Sequence, residues 1–442
     1  MNKTIDSTPP SIWRLAWPTT IANLLLASIG FIQIVMSSEY GSDATAAMTV
    51  SQRIFFLLQS ALFGLSAGVS AIIARHIGAN DKHKAGQAFQ SAMLLSFALS
   101  ILLAILCFIY AHPLTQWFGL SNETQALAVT LIRWICVFSP IYSINIIIAG
   151  SLRAGGDALH PLILAIVSSV GNGLGCYAFS TGSFGAPSLG VEGLVIGGVF
   201  GSVISLFFYV LMWRKNRLLL PFPKQTQYRK KTLTLIRIGM PSAIEQSFIQ
   251  VGFLIFTIAV ASYGVDVLAA YGLGLNVLTL LLITSLAFSM SGAVAVGQYL
   301  GRNEPEKAYQ QGWAAWRICV IFMTVFGILF FLFNHQIAAW LTDDIVVQQY
   351  TAKFLIIVAF SMPLIATDFT IGGAIRGAGD TTYPLKVSLA TMVLVRIVLP
   401  FVFISLDFSY LSLFLLTACD FLVKALFMTY YFRSKRWMHT KI

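Results

Sequence analysis

The 442-residue sequence predicts an all-α integral membrane protein, with twelve transmembrane helices in two six-helix lobes related by a pseudo-two-fold axis along the membrane normal. Three observations carry that reading. Only 10% of the residues are charged and 57% are hydrophobic, with a mean hydropathy of +0.80, too little polar surface to face water on all sides. Apolar runs of about 20 residues, the length that crosses a hydrocarbon core, recur along the whole chain. The chain also repeats itself: GSLRAGGDALHP at 150–161 returns as GAIRGAGDTTYP at 373–384, displaced by 223 positions.

The predicted spans begin near residues 12, 50, 87, 123, 160 and 190 in the first half, and 239, 270, 311, 346, 383 and 409 in the second. The first follows ten polar residues with no cleavable small-residue site after it, so it is expected to be a retained helix. The breaks between spans alternate in charge. The break after the second span holds Arg75, Lys82 and Lys84, and that after the fourth holds Arg153. The break after the sixth holds Arg214, Lys215, Arg217, Lys224, Arg229, Lys230 and Lys231. Arg302 and Lys307 follow the eighth span, Arg376 the tenth, and Arg433, Lys435, Arg436 and Lys441 the twelfth. The alternate breaks hold Glu39, Asp43, Asp266, Asp343, Asp344 and Asp407. Basic residues mark the cytoplasmic side, so both termini are expected in the cytoplasm, with the chain multi-pass in a plasma membrane, that of a bacterial inner membrane by its outer turns bare of Lys and Arg. The net charge of +11 is then an orientation signal rather than a nucleic-acid surface. Cys107, Cys136, Cys176, Cys319 and Cys419 are scattered through apolar runs without metal-ligand spacing and read as packing residues.

The repeat reaches far beyond one phrase. Pro18 returns as Pro241, Gly41 as Gly264, Gly78 as Gly301, Asn80 as Asn303, Lys84 as Lys307 and Pro140 as Pro363. Each half holds an even number of spans, so the halves run in the same sense, a layout suited to alternating access between two lobes. The expected organisation is a first lobe over 1–212, a basic cytoplasmic linker over 213–232 that can rest on anionic headgroups, and a second lobe over 233–442. The R-x-G/A-G-D phrases fall in cytoplasmic turns between the fourth and fifth spans of each half. Their glycines permit a tight turn, the Arg is placed to bond helix-end carbonyls, and the Asp to cap the next helix. That makes each phrase a structural clip, with gating as its second reading.

With AIIARHIGANDKHKA at 71–85 echoed by AVAVGQYLGRNEPEKA at 293–308, the paired LRAGGD and IRGAGDTTYP, and Pro18 and Pro241, the chain resembles the multidrug and toxic compound extrusion (MATE) family of antiporters over nearly its whole length. The resemblance implies a V-shaped twelve-helix bundle that exports lipophilic cationic small molecules in exchange for H+ or Na+, without another cofactor, and expected here as a monomer in the lipid bilayer. The competing reading is a flippase for a lipid-linked precursor, as in distant relatives with a similar lobed bundle. It calls for a cavity rich in Arg and Lys, and the first half shows no such row. An enzyme is not expected: no metal-ligand spacing, serine nucleophile motif or phosphate loop occurs. The 34 Phe, 15 Tyr and 12 Met supply material for an adaptable cavity for cations.

Ionisable side chains inside a bilayer are costly and mark function by default. Glu245, Asp368, Arg396, Asp420 and Lys424 all fall in the second half; Arg53, Arg133, Arg317 and Lys353 also lie within spans, nearer their ends or at undefined depth. Many family members carry an aspartate eight positions before the glycine matching Gly41, where this chain has Gln33. A proton-coupled branch carries Asn and then Asp four residues on, where this chain has Asn172 and Cys176. First-lobe coupling is therefore not expected. Glu245 lies eight residues after Arg237 and Asp368 eight before Arg376, so both sit about 12 Å in from the basic side. The resemblance to a sodium-coupled branch, with a glutamate in the seventh and an aspartate in the tenth span about one turn further in, assigns this pair to the coupling ion. Two level carboxylates would repel and so recruit a proton or a sodium ion, with Thr367, Thr370 and unwound carbonyls near Pro363 expected as additional oxygen ligands. No other metal is expected. Gln33, Asn145 and Asn172 are candidates for neutral cavity contacts or for interhelical hydrogen bonds. Arg396, Asp420 and Lys424, similar in depth and with the last two at i,i+4, are expected to form a structural charge cluster.

Overall fold

The structure, a computed structural model, describes residues 11–215 and 228–440, with side chains from 233 onward in the second stretch. The basic residues from Arg217 to Lys231 lie outside the described side chains. Among the described residues twelve helices are long and apolar enough to cross a membrane. They are α1 (Ile12–Ser37), α2 (Ser42–Gly78), α3 (Lys82–Ile109), α4 (Asn122–Ala154), α5 (Leu159–Thr181) and α6 (Gly190–Arg214), then α7 (Tyr228–Ala261), α8 (Val265–Gly301), α9 (Pro305–Leu332), α10 (Ile345–Gly377), α11 (Thr382–Ser405) and α12 (Tyr410–Arg433). The two ends of the bundle are called basic and acidic here, after the charges of their turns.

Several helices begin earlier than the apolar runs indicated: α2 at 42 rather than 50, α3 at 82 rather than 87, and α8 at 265 rather than 270. The apolar window marks the hydrocarbon, whereas the helix continues through the interface to its cap. Gly41 and Gly264 supply those caps for α2 and α8, at φ 98° and 106°, a region open to glycine. Asp81 caps α3, accepting from the Lys84 backbone N–H at 2.9 Å, an N-cap bond. In the R-x-G/A-G-D turns the aspartates do the same. Asp157 Oδ1 accepts from His160 N and Asp380 Oδ1 from Tyr383 N, both at 3.2 Å. Short helices at Ala111–Gln116 and Asn334–Leu341 begin 223 residues apart at the acidic end. They are too short and polar for the apolar runs to announce.

Pro18, Pro140, Pro241 and Pro363 sit inside their helices. The unwound segment expected near Pro363 is not formed, because α10 is helical from Ile345 to Gly377. Pro363 has no N–H for the carbonyl of Ala359, and that carbonyl is accommodated where α9 carries Gly327, whose added Cβ would lie 2.7 Å from it. The irregular helix is α11, whose backbone forms a π-turn over Met392–Val398. Pro400 cannot donate to the carbonyl of Arg396, and the helix takes up the fault by widening around that residue.

In the first lobe α2 packs on α4, α3 on α4, and α5 on α6; in the second, α8 packs on α10, α9 on α10, and α10 on α12. The α5–α6 crossing is made of glycine. A Cβ on Gly201 would lie 2.0 Å from Ser168 O, and one on Gly175 2.3 Å from Gly197 O, the small-residue contact that brings membrane helices to backbone distance. The lobes meet through α2 against α7 and α8, and through α1 against α8. These contacts fall in the basic half: Gly64 and Gly68 lie against Ala243 and Gly239, and Trp13 meets Phe288 with ring centroids 6.4 Å apart.

Candidate functional site

The second lobe gathers six charged side chains between its helices. Glu245 on α7, 3% exposed, receives Arg376 Nη1 on its Oε1 and Oε2 at 3.1 and 3.3 Å and the Ser388 hydroxyl of α11 on Oε1 at 2.9 Å. Three helices are thus tied at one carboxylate. Between α11 and α12, Arg396 Nε and Lys424 Nζ both donate to Asp420 Oδ2, at 2.8 and 3.1 Å. All three are buried, Arg396 completely. The π-turn of α11 aims this guanidinium at the rings of Phe253, Phe256 and Phe421, whose centroids lie 4.4, 5.4 and 5.6 Å from Cζ. Stacked aromatic faces hold a buried cation by their quadrupoles, which offsets part of the cost of desolvating it.

Asp368 lies between these groups. It is half-buried, and Lys424, Arg376, Asp420 and Glu245 are the charged groups that act on it, yet it forms no hydrogen bond or ion pair with any described residue. Of the two carboxylates paired in the sequence reading, Glu245 is thus engaged by Arg376 and Ser388, while Asp368 has no such bond. Arg376 reaches inward from the end of α10 and takes Glu245, a partner the sequence reading had not given it, and Asp368 is left alone. The helix-end carbonyls assigned to Arg376 are correspondingly not its acceptors here. In the first lobe Arg153 has Ala22 where the second has Glu245, and its Nε finds no partner.

The other candidate residues are occupied with their neighbours. Thr367 Oγ1 donates to Pro363 O at 2.7 Å and accepts from Trp316 Nε1 at 2.9 Å. Thr370 Oγ1 donates to Ala366 O at 2.5 Å and is fully buried. In the first lobe Gln33 Nε2 donates to Leu194 O at 2.9 Å, and its Oε1 accepts from Gln52 Nε2. Asn172 Nδ2 donates to Gly198 O at 2.6 Å, and the Cys176 thiol bridges Asn172 Oδ1 at 3.4 Å and Leu194 O at 3.1 Å. Gln33 and Asn172 are buried and join α1, α2, α5 and α6 in a neutral network. Asn145 Nδ2 donates to Ile141 O and Ser202 O at 3.1 and 3.2 Å, joining α4 to α6. Gln52 and Ser388 had no sequence signal, being ordinary polar residues in long helices. The sequence did offer a signal for the partner of Arg376: Glu245, like Asp368, is an acidic residue counted to the interior near that end of the second lobe.

Two parallel six-helix repeats, joined at one end and carrying a cluster of paired buried charges in one lobe, define a membrane transport protein of the two-lobed kind. The MatE family model matches this chain twice, over residues 18–178 and 241–402, and the chain belongs to that family. The matched stretches begin 223 residues apart, the displacement of the internal repeat. Relatives include a probable multidrug resistance protein NorM of Thermotoga maritima, 24% identical over 435 residues and covering 96% of this chain and 92% of that protein. The probable multidrug resistance protein YoeA of Bacillus subtilis is 24% identical over 391 residues, 86% of this chain and 84% of its own. Among solved structures, a MOP superfamily transporter from Pyrococcus furiosus, described as having a binding pocket of reverse polarity, superposes with a TM-score of 0.89 at 20% identity over 97% of this chain and 96% of its own. The bent form of the Vibrio cholerae MATE transporter VcmN gives 0.85 at 20% identity, over 97% and 98%.

Proposed function

We propose that this protein is a multidrug efflux antiporter, exporting lipophilic organic cations in exchange for protons, and that Asp368 is the group on which the two compete. The observation that carries this reading is the solitary state of Asp368: of the three carboxylates inside the second lobe, it alone has no hydrogen bond or ion pair. Arg376, Arg396 and Lys424 carry three positive charges, and Glu245, Asp420 and Asp368 three negative ones. The interior is balanced only while Asp368 is ionised. A proton on Asp368 leaves one net positive charge, which repels an organic cation; loss of the proton restores a site for it. Exchange of one for the other needs no further group.

The same geometry argues for a proton over sodium. Sodium requires several oxygen ligands, but both oxygens of Glu245 face Arg376, the Thr367 oxygen already accepts from Trp316 Nε1, and α10 stays helical through Pro363 rather than unwinding to offer its carbonyls. A proton needs one carboxyl. The buried positive groups of the second lobe each lie against a carboxylate, which speaks against an anionic lipid-linked cargo held there. Placing the basic end in the cytoplasm, by the positive-inside rule, makes the present arrangement, joined at that end, one that gives access from outside.

The test is efflux of a fluorescent organic cation from liposomes holding the purified protein, with pH and sodium gradients imposed separately. A pH gradient should drive efflux, a sodium gradient should not, and Asp368→Asn should bind the dye yet lose gradient-driven transport. Efflux that follows sodium alone, or that survives Asp368→Asn, would overturn the assignment.

A further inference from the structure

Among the described residues three hydrogen bonds cross between the lobes at the basic end, and the internal repeat relates the donors of two of them. Arg75 on α2 donates from Nη1 to Ala378 O at 3.4 Å, a carbonyl in the R-x-G/A-G-D turn of the second lobe. Gln298 stands 223 residues later, on α8, and donates from Nε2 to Ala154 O at 3.0 Å, where α4 runs into the same turn of the first lobe. Each of the two central helices therefore satisfies a helix-end carbonyl of the opposite lobe, the kind of acceptor that a helix leaves unbonded. The backbones meet reciprocally as well. A Cβ on Gly78 would lie 2.0 Å from Gln298 O, and one on Gly301 2.1 Å from Arg75 O. These glycines are also equivalent in the repeat.

One half of this arrangement is reinforced. Arg75 Nη1 also donates to Thr440 O at 2.8 Å. That carbonyl is brought there by the segment after α12, which turns back at Lys435 (φ 59°). Lys435 Nζ meets Glu306 Oε1 at 2.7 Å. Trp437 is wholly buried, stacked on Phe432 at 4.7 Å, with its Nε1 donating to Phe432 O at 2.8 Å.

We infer that Arg75 and Gln298 are paired gate residues: they hold the basic face shut and release the carbonyls of Ala378, Thr440 and Ala154 whenever the protein opens on that side. This rests on the alternating-access reading above. The chemistry suits repeated opening: the acceptor residues Ala378 and Ala154 are buried while the face is shut, opening would let water replace the lost donor, and the net worth of such a bond is small, while its geometry still fixes the closed state. It also accounts for the R-x-G/A-G-D turns, which present their helix-end carbonyls to the other lobe.

The test places spin labels at Lys84→Cys and Lys307→Cys, exposed and equivalent positions at the basic end of each lobe, in a background with the exposed Cys419 changed to Ser. Inter-lobe distances are read by double electron–electron resonance in nanodiscs without a gradient, alongside dye efflux. Arg75→Ala with Gln298→Ala should enlarge the long-distance population at least threefold. Arg75→Gln, which gives both sides the same donor, should stay within twofold of the parent. Should the double variant fail to fold, Gly301→Ala presses on Arg75 O with both side chains kept and should give the same enlargement. A distance distribution unchanged in the variant that folds would overturn the gate. Because the distances need no substrate, an unresponsive dye with a shifted distribution would sink the antiport reading and leave the gate supported. Normal efflux with unshifted distances would do the reverse.

Discussion

At the scale of single residues, Asp420 and Asp368 are the same amino acid on adjacent helices with opposite duties. Asp420 holds two cations on one oxygen, 2.8 and 3.1 Å away. Converting it to Asn strands both in a buried site, and breaking a buried pair from one side costs about 3–5 kcal/mol. Asp420→Asn should therefore melt well below the parent in a thermal unfolding assay in detergent. Asp368 makes no hydrogen bond or ion pair with a described residue, so Asp368→Asn should melt much closer to the parent than Asp420→Asn does in the same assay, while losing gradient-driven efflux. Glu245 falls between these cases. It is bonded to Arg376 and Ser388, so Glu245→Gln weakens a three-helix junction. In a double-mutant cycle with Arg376→Met the two changes should be sub-additive, with a coupling of about 1–3 kcal/mol; independent effects would show that the ion pair contributes no stability.

At the scale of helices, the two lobes build their last crossing in different ways. The α5–α6 contact is glycine on backbone, whereas α11 and α12 are linked through Arg396, Asp420 and Lys424. Gly197→Ala would put a Cβ 2.2 Å from the carbonyl of Gly175, and overpacking of that kind costs about 1–3 kcal/mol. A measured loss near zero would mean that α5 and α6 separate freely. The helices themselves were legible in the sequence because lipid demands long apolar runs, and the charge alternation marked which end of each helix was which. The Arg396–Asp420–Lys424 cluster was legible from depth counted along two helices. The Arg376–Glu245 pair was not, because it depends on the direction the Arg376 side chain takes from the end of α10 and on the rotation of α7, neither of which a one-dimensional count contains. The π-turn at Arg396 escaped for a related reason. A proline four residues on frees a carbonyl, but whether the helix then kinks, as the reading near Pro363 supposed, or widens, as α11 does, is decided by what packs against it.

At the scale of the whole molecule, a duplicated frame carries an unduplicated site. The repeat persists where the lobes must fit one another, at Gly78 and Gly301, at Gly41 and Gly264, and at the caps of the R-x-G/A-G-D turns. It lapses where charge is stored: Glu245 answers to Ala22, Asp368 to Asn145, and Arg376 to an Arg153 that forms no ion pair with a described residue. The sequence showed this asymmetry, since it needs only the register of the repeat; what it could not show was that Gln33, Asn172 and Cys176 close into a bonded network with Gln52. That network has no group able to ionise as a carboxylate does, so the first lobe is a partner in shape rather than in charge. Gln33→Ala would leave Leu194 O and the Gln52 amide without their partners in a buried site, a loss of about 1–3 kcal/mol. The variant should unfold at lower temperature and transport more slowly, yet the gradient that drives it should remain the one that drives the parent. A change of driving ion on altering Gln33 would mean that both lobes take part in coupling, and that the charge asymmetry between them is not what sets the direction of exchange.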